Sequence, residues 1–303
     1  MKRLMFSLLL VVFLIYGVSA EVIIGQVQPV YNRGDTFSNK ITISPSIPKN
    51  DYLNVELQCN EKSISLYRQP INVLANQQKE IDISAKFDSK VISDLEGACL
   101  IRAEYGGENI QSSSFEITKQ VSLTLDVDRV LFDPGASVNI RGKAVKKNGQ
   151  NLDGFAEINI PEMGISLSIP VISGIFNSNF SIPSRAGSGT YTINVKAYER
   201  DLTGSIINEG VNSAPLSVRQ VIDQIDIAFD SVSVKPGTVL QYKIILLDQA
   251  GKEINQELSV SFGSPDQKII KNEVVRTGEM NNFQTESNYT PGYWDARVEI
   301  ANL

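Results

Sequence analysis

Residues 132–142 read FDPGASVNIRG, a Pro-Gly turn followed by alternating apolar and polar residues. Proline and glycine together indicate a tight turn, and apolar residues at every second position indicate a strand with one buried face. A similar turn and strand recur at residues 31–37 and 234–239. The three turn glycines, which are 101 and 102 residues apart, are Gly34, Gly135 and Gly237. This regular spacing predicts three copies of one structural unit.

A second landmark closes each copy. Residues 97–103, 189–195 and 292–298 each begin with glycine and continue as an alternating strand. The joints between copies then fall near residues 118–121 and 217–222. We therefore expect four segments, which are a signal peptide at 1–20 and domains at 21–119, 120–220 and 221–303.

Short runs with apolar residues at every second position lie between these landmarks, and turn-forming residues separate them. No window after residue 20 shows the periodicity of an amphipathic helix. Many short antiparallel strands per hundred residues are typical of β-sandwiches. The sequence therefore predicts an all-β protein of three tandem immunoglobulin-like antiparallel β-sandwich domains. The clearest alternating runs are Leu53-Val55-Leu57-Cys59, Ile81-Ile83-Ala85-Phe87, Val121-Leu123-Leu125-Val127, Tyr191-Ile193-Val195-Ala197 and Leu258-Val260-Phe262.

The motifs of residues 132–197 resemble the macroglobulin-type and related immunoglobulin-like repeats of prokaryotic surface proteins. They run Phe-x-Pro-Gly-x-x-Val-x-Ile-x-Gly, then Gly-x-Phe-x-x-x-Phe-x-Ile-Pro, then Gly-Thr-Tyr-x-Ile-x-Val. The third copy matches less well, and the first copy matches only at its two landmarks. The resemblance implies an extracellular structural, adhesive or binding role. Thioester and bait-region motifs of complete macroglobulins are absent from the sequence, so protease trapping is not implied.

The first twenty residues have the order of a secretory signal peptide. Lys2 and Arg3 precede an apolar run, and small residues lead to Ala20 before Glu21. The run of about 15 residues is shorter than the roughly 20 that a spanning helix needs. We expect cleavage between Ala20 and Glu21, with an uncleaved signal anchor as the alternative. The expected location is secreted or the extracellular cell surface, with membrane attachment only through an uncleaved signal segment or a missing C-terminal part.

The net charge and the amino-acid composition exclude several classes of function. A net charge of −6 disfavours nucleic acid and anionic membranes as partners. The sequence contains no histidine, which removes Ser-His-Asp and Cys-His catalysis and the commonest zinc ligand. We expect no catalytic residue, no metal site and no cofactor.

Cys59 and Cys99 are the two cysteines of the chain. Both occupy the core-facing phase of a predicted strand, and an exported protein meets an oxidising compartment. We therefore expect a disulfide between them. Two buried free thiols or a two-cysteine metal site are the alternatives. Cys99 takes the place that Tyr191 has in the second copy, so the bridge is expected to replace aromatic packing there.

Several other motifs have both a structural and a functional interpretation. Residues 33–35 spell the Arg-Gly-Asp cell-attachment tripeptide, but Gly34 is also the turn glycine of the repeat. On the structural interpretation, Asp35→Glu leaves folding and any attachment unchanged. Asn179 and Asn288 fit the N-glycosylation pattern. These two asparagines would be modified only where exported proteins are glycosylated.

Acidic residues near the joints, together with an aromatic pair in the third copy, suggest two further sites. Trp294, beside Tyr293, is expected to pack in the core rather than to stack on a sugar. The carboxylates near the joints could bind calcium, but no Asp-x-Asp-x-Asp-Gly loop is present, so solvated faces are the favoured explanation. These carboxylates are Asp126, Asp128, Asp223, Asp226 and Asp230.

The sequence favours an exported non-catalytic surface protein with a structural, adhesive or binding role, whose partners are other surface proteins or glycans. The alternatives are a non-catalytic arm of a larger secreted enzyme or transport assembly and a stand-alone carboxylate hydrolase. The count of strands after Gly292 also indicates that the third domain lacks its last strand. Either the natural protein continues beyond Leu303, or a partner supplies that strand.

Overall fold

The computed structural model describes residues 21–300. The predicted signal peptide, the cleavage position at Ala20 and residues 301–303 lie outside the described residues. The described chain is nearly all β, with 62% of residues in strands and 2% in helices. No helix within residues 21–300 is long and apolar enough to cross a membrane.

The first region contains nine strands and one short helix. One sheet has the order β1-β3-β6, and a six-stranded sheet has the order β2-β9-β7-β4-β5 with β8 on β7. The elements are β1 (Val22–Ile24), β2 (Val30–Asn32), β3 (Thr36–Ile43), β4 (Lys49–Cys59), β5 (Lys62–Val73), β6 (Lys79–Lys86), α1 (Ser89–Ile92), β7 (Gly97–Tyr105), β8 (Glu108–Gln111) and β9 (Phe115–Thr118).

Aromatic rings from both sheets fill the core of this region. Phe37 of β3 stacks on Phe115 of β9 with ring centroids 6.4 Å apart, and Tyr31 of β2 meets both rings edge-on. Full burial of a phenylalanine side chain contributes roughly 1.5–3 kcal/mol. The two sheets therefore face each other across one apolar core, as in a β-sandwich.

The second region repeats this arrangement with eight strands. Its sheets have the orders β10-β12-β15 and β11-β17-β16-β13-β14. Val138 and Ile140 of β12 are fully buried with Ile158 of β13 and Leu216 of β17. The strands are β10 (Val121–Val127), β11 (Leu131–Phe132), β12 (Ser137–Lys146), β13 (Gly154–Ile160), β14 (Ile165–Val171), β15 (Ile175–Ser181), β16 (Gly189–Arg200) and β17 (Ile206–Val218).

The third region has six strands within the described residues. Its sheets have the orders β18-β19-β22 and β21-β20-β23. Its smaller core centres on Phe262, which stacks on Phe283 at 4.1 Å and meets Tyr242 edge-on. The strands are β18 (Ile222–Phe229), β19 (Val239–Asp248), β20 (Glu257–Gly263), β21 (Ile269–Arg276), β22 (Met280–Gln284) and β23 (Asp295–Glu299).

The chain divides into two compact units. The first unit runs to Gln120 and also includes Lys146–Gln150 and Glu199–Glu209. The second unit comprises Val121–Val145, Asn151–Tyr198 and the residues from Gly210 onward. The division into three domains that the repeat indicated stays a prediction.

The alternating runs and the repeated turns appear where the sequence placed them. Gly34, Gly135 and Gly237 have φ of 87°, 78° and 83°, a left-handed conformation that glycine adopts without strain. Two strand boundaries have a local explanation. Residues 108–118 form two short strands, β8 and β9, and the alternating strand expected from Gly292 begins at Asp295 as β23.

Both boundaries have local causes. Between β8 and β9, the side-chain oxygen of Ser112 accepts a 2.9 Å hydrogen bond from the backbone of Ile101. The backbone amide of Ile101 on β7 is therefore unavailable to a continuous strand that would replace β8 and β9. Before β23, Trp294 donates from Nε1 to the carbonyl of Thr290 at 3.2 Å. That contact holds residues 290–294 in a loop.

Candidate functional site

The Arg-Gly-Asp turn, which joins β2 to β3, is held by internal contacts. Arg33 is 4% exposed, and its Nη1 pairs with Glu96 Oε1 at 2.9 Å. Its Nη2 contacts the Ser89 hydroxyl at 3.3 Å and the carbonyl of Ser93. The guanidinium therefore binds α1 and the loop that follows it, and it does not project into solvent.

Asp35 closes the same turn from the other side. Its Oδ2 accepts 2.7 Å hydrogen bonds from the backbone of Asn32 and from Nδ2 of Asn148. The carboxylate thus caps a turn in its own repeat and holds the Asn-Gly turn that follows β12. These contacts explain the tripeptide structurally, so the structural interpretation needs no receptor.

Three asparagines continue this network inside the first unit. Asn32 donates from Nδ2 to Oδ1 of Asn208 at 3.0 Å, and Asn32 Oδ1 accepts from the backbone of Asn148 at 3.0 Å. Asn208 donates from Nδ2 to the carbonyl of Arg33 at 2.7 Å and to Glu199 Oε2 at 2.9 Å. Asn32 and Asn208 are both fully buried. Buried amides of this kind stabilise one arrangement because each lost partner leaves an unsatisfied polar group.

Sequence reasoning did not assign a role to these asparagines. Asn148 precedes Gly149, and an Asn-Gly pair indicates only a turn. Nothing in the local pattern distinguishes Asn32 or Asn208 from other asparagines. The side-chain amide of Asn32 has partners that lie 88 and 176 residues away along the chain. Contacts at that separation leave no periodic signal in one sequence.

The disulfide expected between Cys59 and Cys99 is confirmed. The two residues lie directly opposite each other on the neighbouring strands β4 and β7, with Cα atoms 4.1 Å apart. Both are at most 2% exposed. The bridge therefore links two strands of one sheet, whereas the disulfide of antibody domains joins two sheets.

Both glycosylation acceptors lie on the surface of the second unit. Asn288 occupies an exposed turn between β22 and β23. Asn179 is exposed on β15, where its Nδ2 donates to Asn139 Oδ1 at 3.0 Å. Either side chain is accessible to modification, and its modification stays a prediction.

The five acidic residues near the predicted joints are all exposed. Asp226 accepts a 2.7 Å hydrogen bond from Gln224, and Asp230 accepts a 3.1 Å bond from the backbone of Gln241. Within residues 21–300, no three cysteine or carboxylate side chains converge as a metal site. The local hydrogen bonds agree with solvated strand and turn positions.

Trp294 belongs to an aromatic cluster at the edge of the third region. Its ring stacks on Tyr289 at 4.9 Å and lies 6.2 Å from Phe283. Tyr293, in contrast, is 99% exposed. The tryptophan is therefore half-buried and packs against the core of the third region on one side only.

An open groove of about 750 Å³ lies beside this aromatic cluster. Its lining includes Val232, Val234, Phe262, Phe283, Trp294 and Ala296. Asp295 is the one carboxylate in this lining, and it accepts a hydrogen bond from Arg297 Nε at 2.6 Å.

No protein-family model and no curated protein matches this sequence. Among solved structures, the chain is similar to trypsin-activated alpha-2-macroglobulin from Escherichia coli, with 12% identity over 92% of this chain and 22% of that chain, at a TM-score of 0.26. It is also similar to the native conformation of Escherichia coli alpha-2-macroglobulin, with 10% identity over 92% of this chain and 20% of that chain, at a TM-score of 0.27. The chain thus spans about a fifth of the length of these proteins.

Proposed function

We propose that this protein is an exported, non-catalytic protein of the cell exterior whose β-sandwiches serve a structural, adhesive or binding role. One observation supports this proposal most directly. The charged and reactive side chains that the sequence singled out are bound to other side chains within the fold. Arg33 pairs with Glu96, Asp35 with Asn148, and Cys59 with Cys99.

The disulfide supports the exported location. Structural disulfides form and persist in oxidising compartments, and reducing cytosol keeps such thiols free. Cys59 and Cys99 are buried and opposed across two strands, which is the geometry of a structural bridge. An extracellular or periplasmic location follows from this chemistry as part of the proposal.

The surroundings of the carboxylates support the absence of catalysis. A glycoside hydrolase needs two carboxyl groups that face each other across a substrate cleft at about 5–9.5 Å. Here Glu96 is neutralised by Arg33 and by Lys119, each at 2.9 Å. Asp295 at the groove is paired with Arg297 at 2.6 Å. Both carboxylates are thus engaged in ion pairs with neighbouring cations.

The groove of the third region supports a binding role. Pockets that bind partners are concave, mostly apolar and supplied with a few polar groups. The groove has this composition, and its lining includes Trp294 and Phe229, which is 38% exposed. Apolar surface left open in this way is typical of an interaction site.

A substrate panel and an in-cell thiol assay test the proposal. Purified protein is incubated with polysaccharides, peptidoglycan and unfolded protein, and products are compared with a buffer blank and with Asp295→Asn. We expect no turnover. Turnover above the blank that Asp295→Asn abolishes would show catalysis at the groove and overturn the proposal.

The second assay addresses the compartment. Cells are quenched with acid, free thiols are alkylated, and the oxidation state of Cys59 and Cys99 is read by mass spectrometry. We expect the pair to be fully oxidised in intact cells. Reduced, alkylated cysteines in the folded protein would contradict export.

A further inference from the structure

Within residues 21–300, the third region has an open sheet edge where the other two regions have a strand. In the second region β16 is flanked by β13 on one side and β17 on the other, and in the first region β7 lies between β4 and β9. By sheet order, β23 is the counterpart of β16 and β7. It pairs with β20, and no strand within residues 21–300 pairs with its other edge.

The repeat also shows which side chains a strand at this edge would cover. Tyr31, Phe132 and Val234 occupy the same position before the turn glycine. Tyr31 is 4% exposed against Ile117 of β9, and Phe132 is 1% exposed against Val218 of β17. Val234 is 38% exposed at the groove. The groove therefore lies where β9 and β17 lie in the other two regions.

The two covering strands share one pattern. Each places two buried apolar residues two positions apart, namely Phe115 with Ile117 and Leu216 with Val218. Both strands also run parallel to the short strand before the turn. A strand in the third groove would run in the same direction and insert its own apolar pair, because the side chains of a strand alternate between faces.

Charge complementarity indicates the next residue of such a strand. In the second region Arg219, directly after Val218, pairs with Asp133 at 3.4 Å. The position of Asp133 in the turn is taken by Lys235 in the third region. No carboxylate within residues 21–300 forms an ion pair with Lys235. An acidic residue after the apolar pair would restore this contact with the opposite polarity.

We infer that the groove of the third region binds an extended segment of a partner polypeptide with the pattern apolar-x-apolar-Asp/Glu. The segment adds to the free edge of β23 by backbone hydrogen bonds, while its apolar pair fills the groove. This inference specifies the partner of the binding role and so rests on the proposed function. A free edge beside exposed aromatic rings is otherwise an aggregation site.

Synthetic peptides based on β17 test the inference on the 303-residue protein. The probes are SAPLSVR, which is the sequence of residues 213–219, SAPLSVD, and SAPSSSD without the apolar pair. Trp294 is the single tryptophan and lines the groove, so its fluorescence reports occupancy. Hydrogen exchange of the β23 amides reports strand addition independently.

We expect SAPLSVD to shift Trp294 emission and protect β23, with an affinity about two- to fivefold above that of SAPLSVR, the range for an exposed ion pair. Lys235→Glu should reverse this preference. Val234→Glu should abolish binding, whereas Val274→Glu should leave it unchanged, because Val274 lies exposed on β21 away from the groove.

Four outcomes would overturn the inference. No response to millimolar SAPLSVD, or an equal response to SAPSSSD, would show that the groove is not a strand site. Protection of β23 that grows with protein concentration would identify a second copy as the occupant. Protection in monomeric protein isolated from its own cells would assign the strand to its own chain. None of these results produces substrate turnover, so they are distinct from failure of the proposed function.

Discussion

Asn148 donates a 2.7 Å hydrogen bond to the carboxylate of Asp35, although 113 residues separate them. Asn148 belongs to the turn after β12, and Asp35 belongs to the turn before β3. The contact lies within the first unit, which includes Lys146–Gln150. In the second unit, the matching turn after β19 presents Gln249, which donates to the carbonyls of Ala186 and Arg219 at 3.0 Å each. The same turn of the repeat thus supplies long-range hydrogen bonds twice.

We predict that Asp35→Ala lowers the free energy of unfolding of the first unit by about 1–3 kcal/mol, because the Asn148 amide and the Asn32 backbone lose their acceptor. This loss is measured by urea unfolding, monitored through the hydrogen exchange of the β3 amides. Asp82→Ala, which changes an exposed carboxylate on β6, is the control and should cost under about 0.5 kcal/mol. Equal effects of the two variants would contradict the role given to Asp35.

The role of Asp35 marks a limit of the sequence interpretation. The turn at Gly34 was predictable, because glycine recurs at one position in three repeats. Its neighbour was expected to tolerate Asp35→Glu, since no local pattern connects Asp35 to Asn148. In the structure a longer side chain would displace the carboxylate from both donors. We now expect Asp35→Glu to destabilise the first unit as well.

Substitutions at Gly34 and Gly149 distinguish two free-energy costs of adding a side chain, which are backbone strain and steric overlap. Both have φ of 87°, but a Cβ at Gly34 would lie 2.8 Å from Cδ1 of Ile207, whereas a Cβ at Gly149 would meet nothing within 4 Å. We predict that Gly149→Ala costs about 1 kcal/mol for backbone strain alone. Gly34→Ala should cost about 1–3 kcal/mol more, as overpacking does.

A double variant tests the cause of that difference. Ile207→Val shortens the side chain that a Cβ at Gly34 would meet, so it should recover part of the cost in the Gly34→Ala background. Chemical denaturation of the four proteins gives the coupling energy. Additive losses would show that Ile207 is not responsible.

Reduction of the Cys59–Cys99 bridge is predicted to destabilise the first region and to leave the third unaffected. Opening a loop with a sequence separation of 40 removes about 4 kcal/mol by the chain-entropy estimate. The paired variant Cys59→Ser with Cys99→Ser should lose all sensitivity to reductant. Trp294 emission follows the third region separately, and its midpoint should not move. A common shift of both transitions would show that the regions unfold together.

The core and the disulfide were more predictable than the groove contacts. Leu53, Val55, Leu57 and Cys59 are all buried on β4, because a period of two fixes which face each side chain occupies. Trp294 was placed inside on the same argument. However, the loop that precedes β23 leaves Tyr293 exposed and opens the groove beside Trp294. Such loop geometry depends on tertiary contacts, which periodicity does not encode.

The last prediction concerns pH and Asp248, a buried carboxylate at the end of β19. Burial raises its pKa, but hydrogen bonds from the Lys252 backbone, the Gln220 amide and the Ala250 backbone more than offset this effect, so the pKa lies below its ordinary value of 3.8. A lowered folded-state pKa gives stability that is full above the unfolded value and is lost as pH falls through the folded value. Asp248→Asn should therefore lower the free energy of unfolding by about 1–2 kcal/mol at pH 7. The difference between the wild type and this variant should become smaller below about pH 4. Trp294-monitored unfolding from pH 7 to pH 2 measures this difference, with exposed Asp266→Asn as the control. A difference independent of pH would mean that the charge of Asp248 does not stabilise the turn.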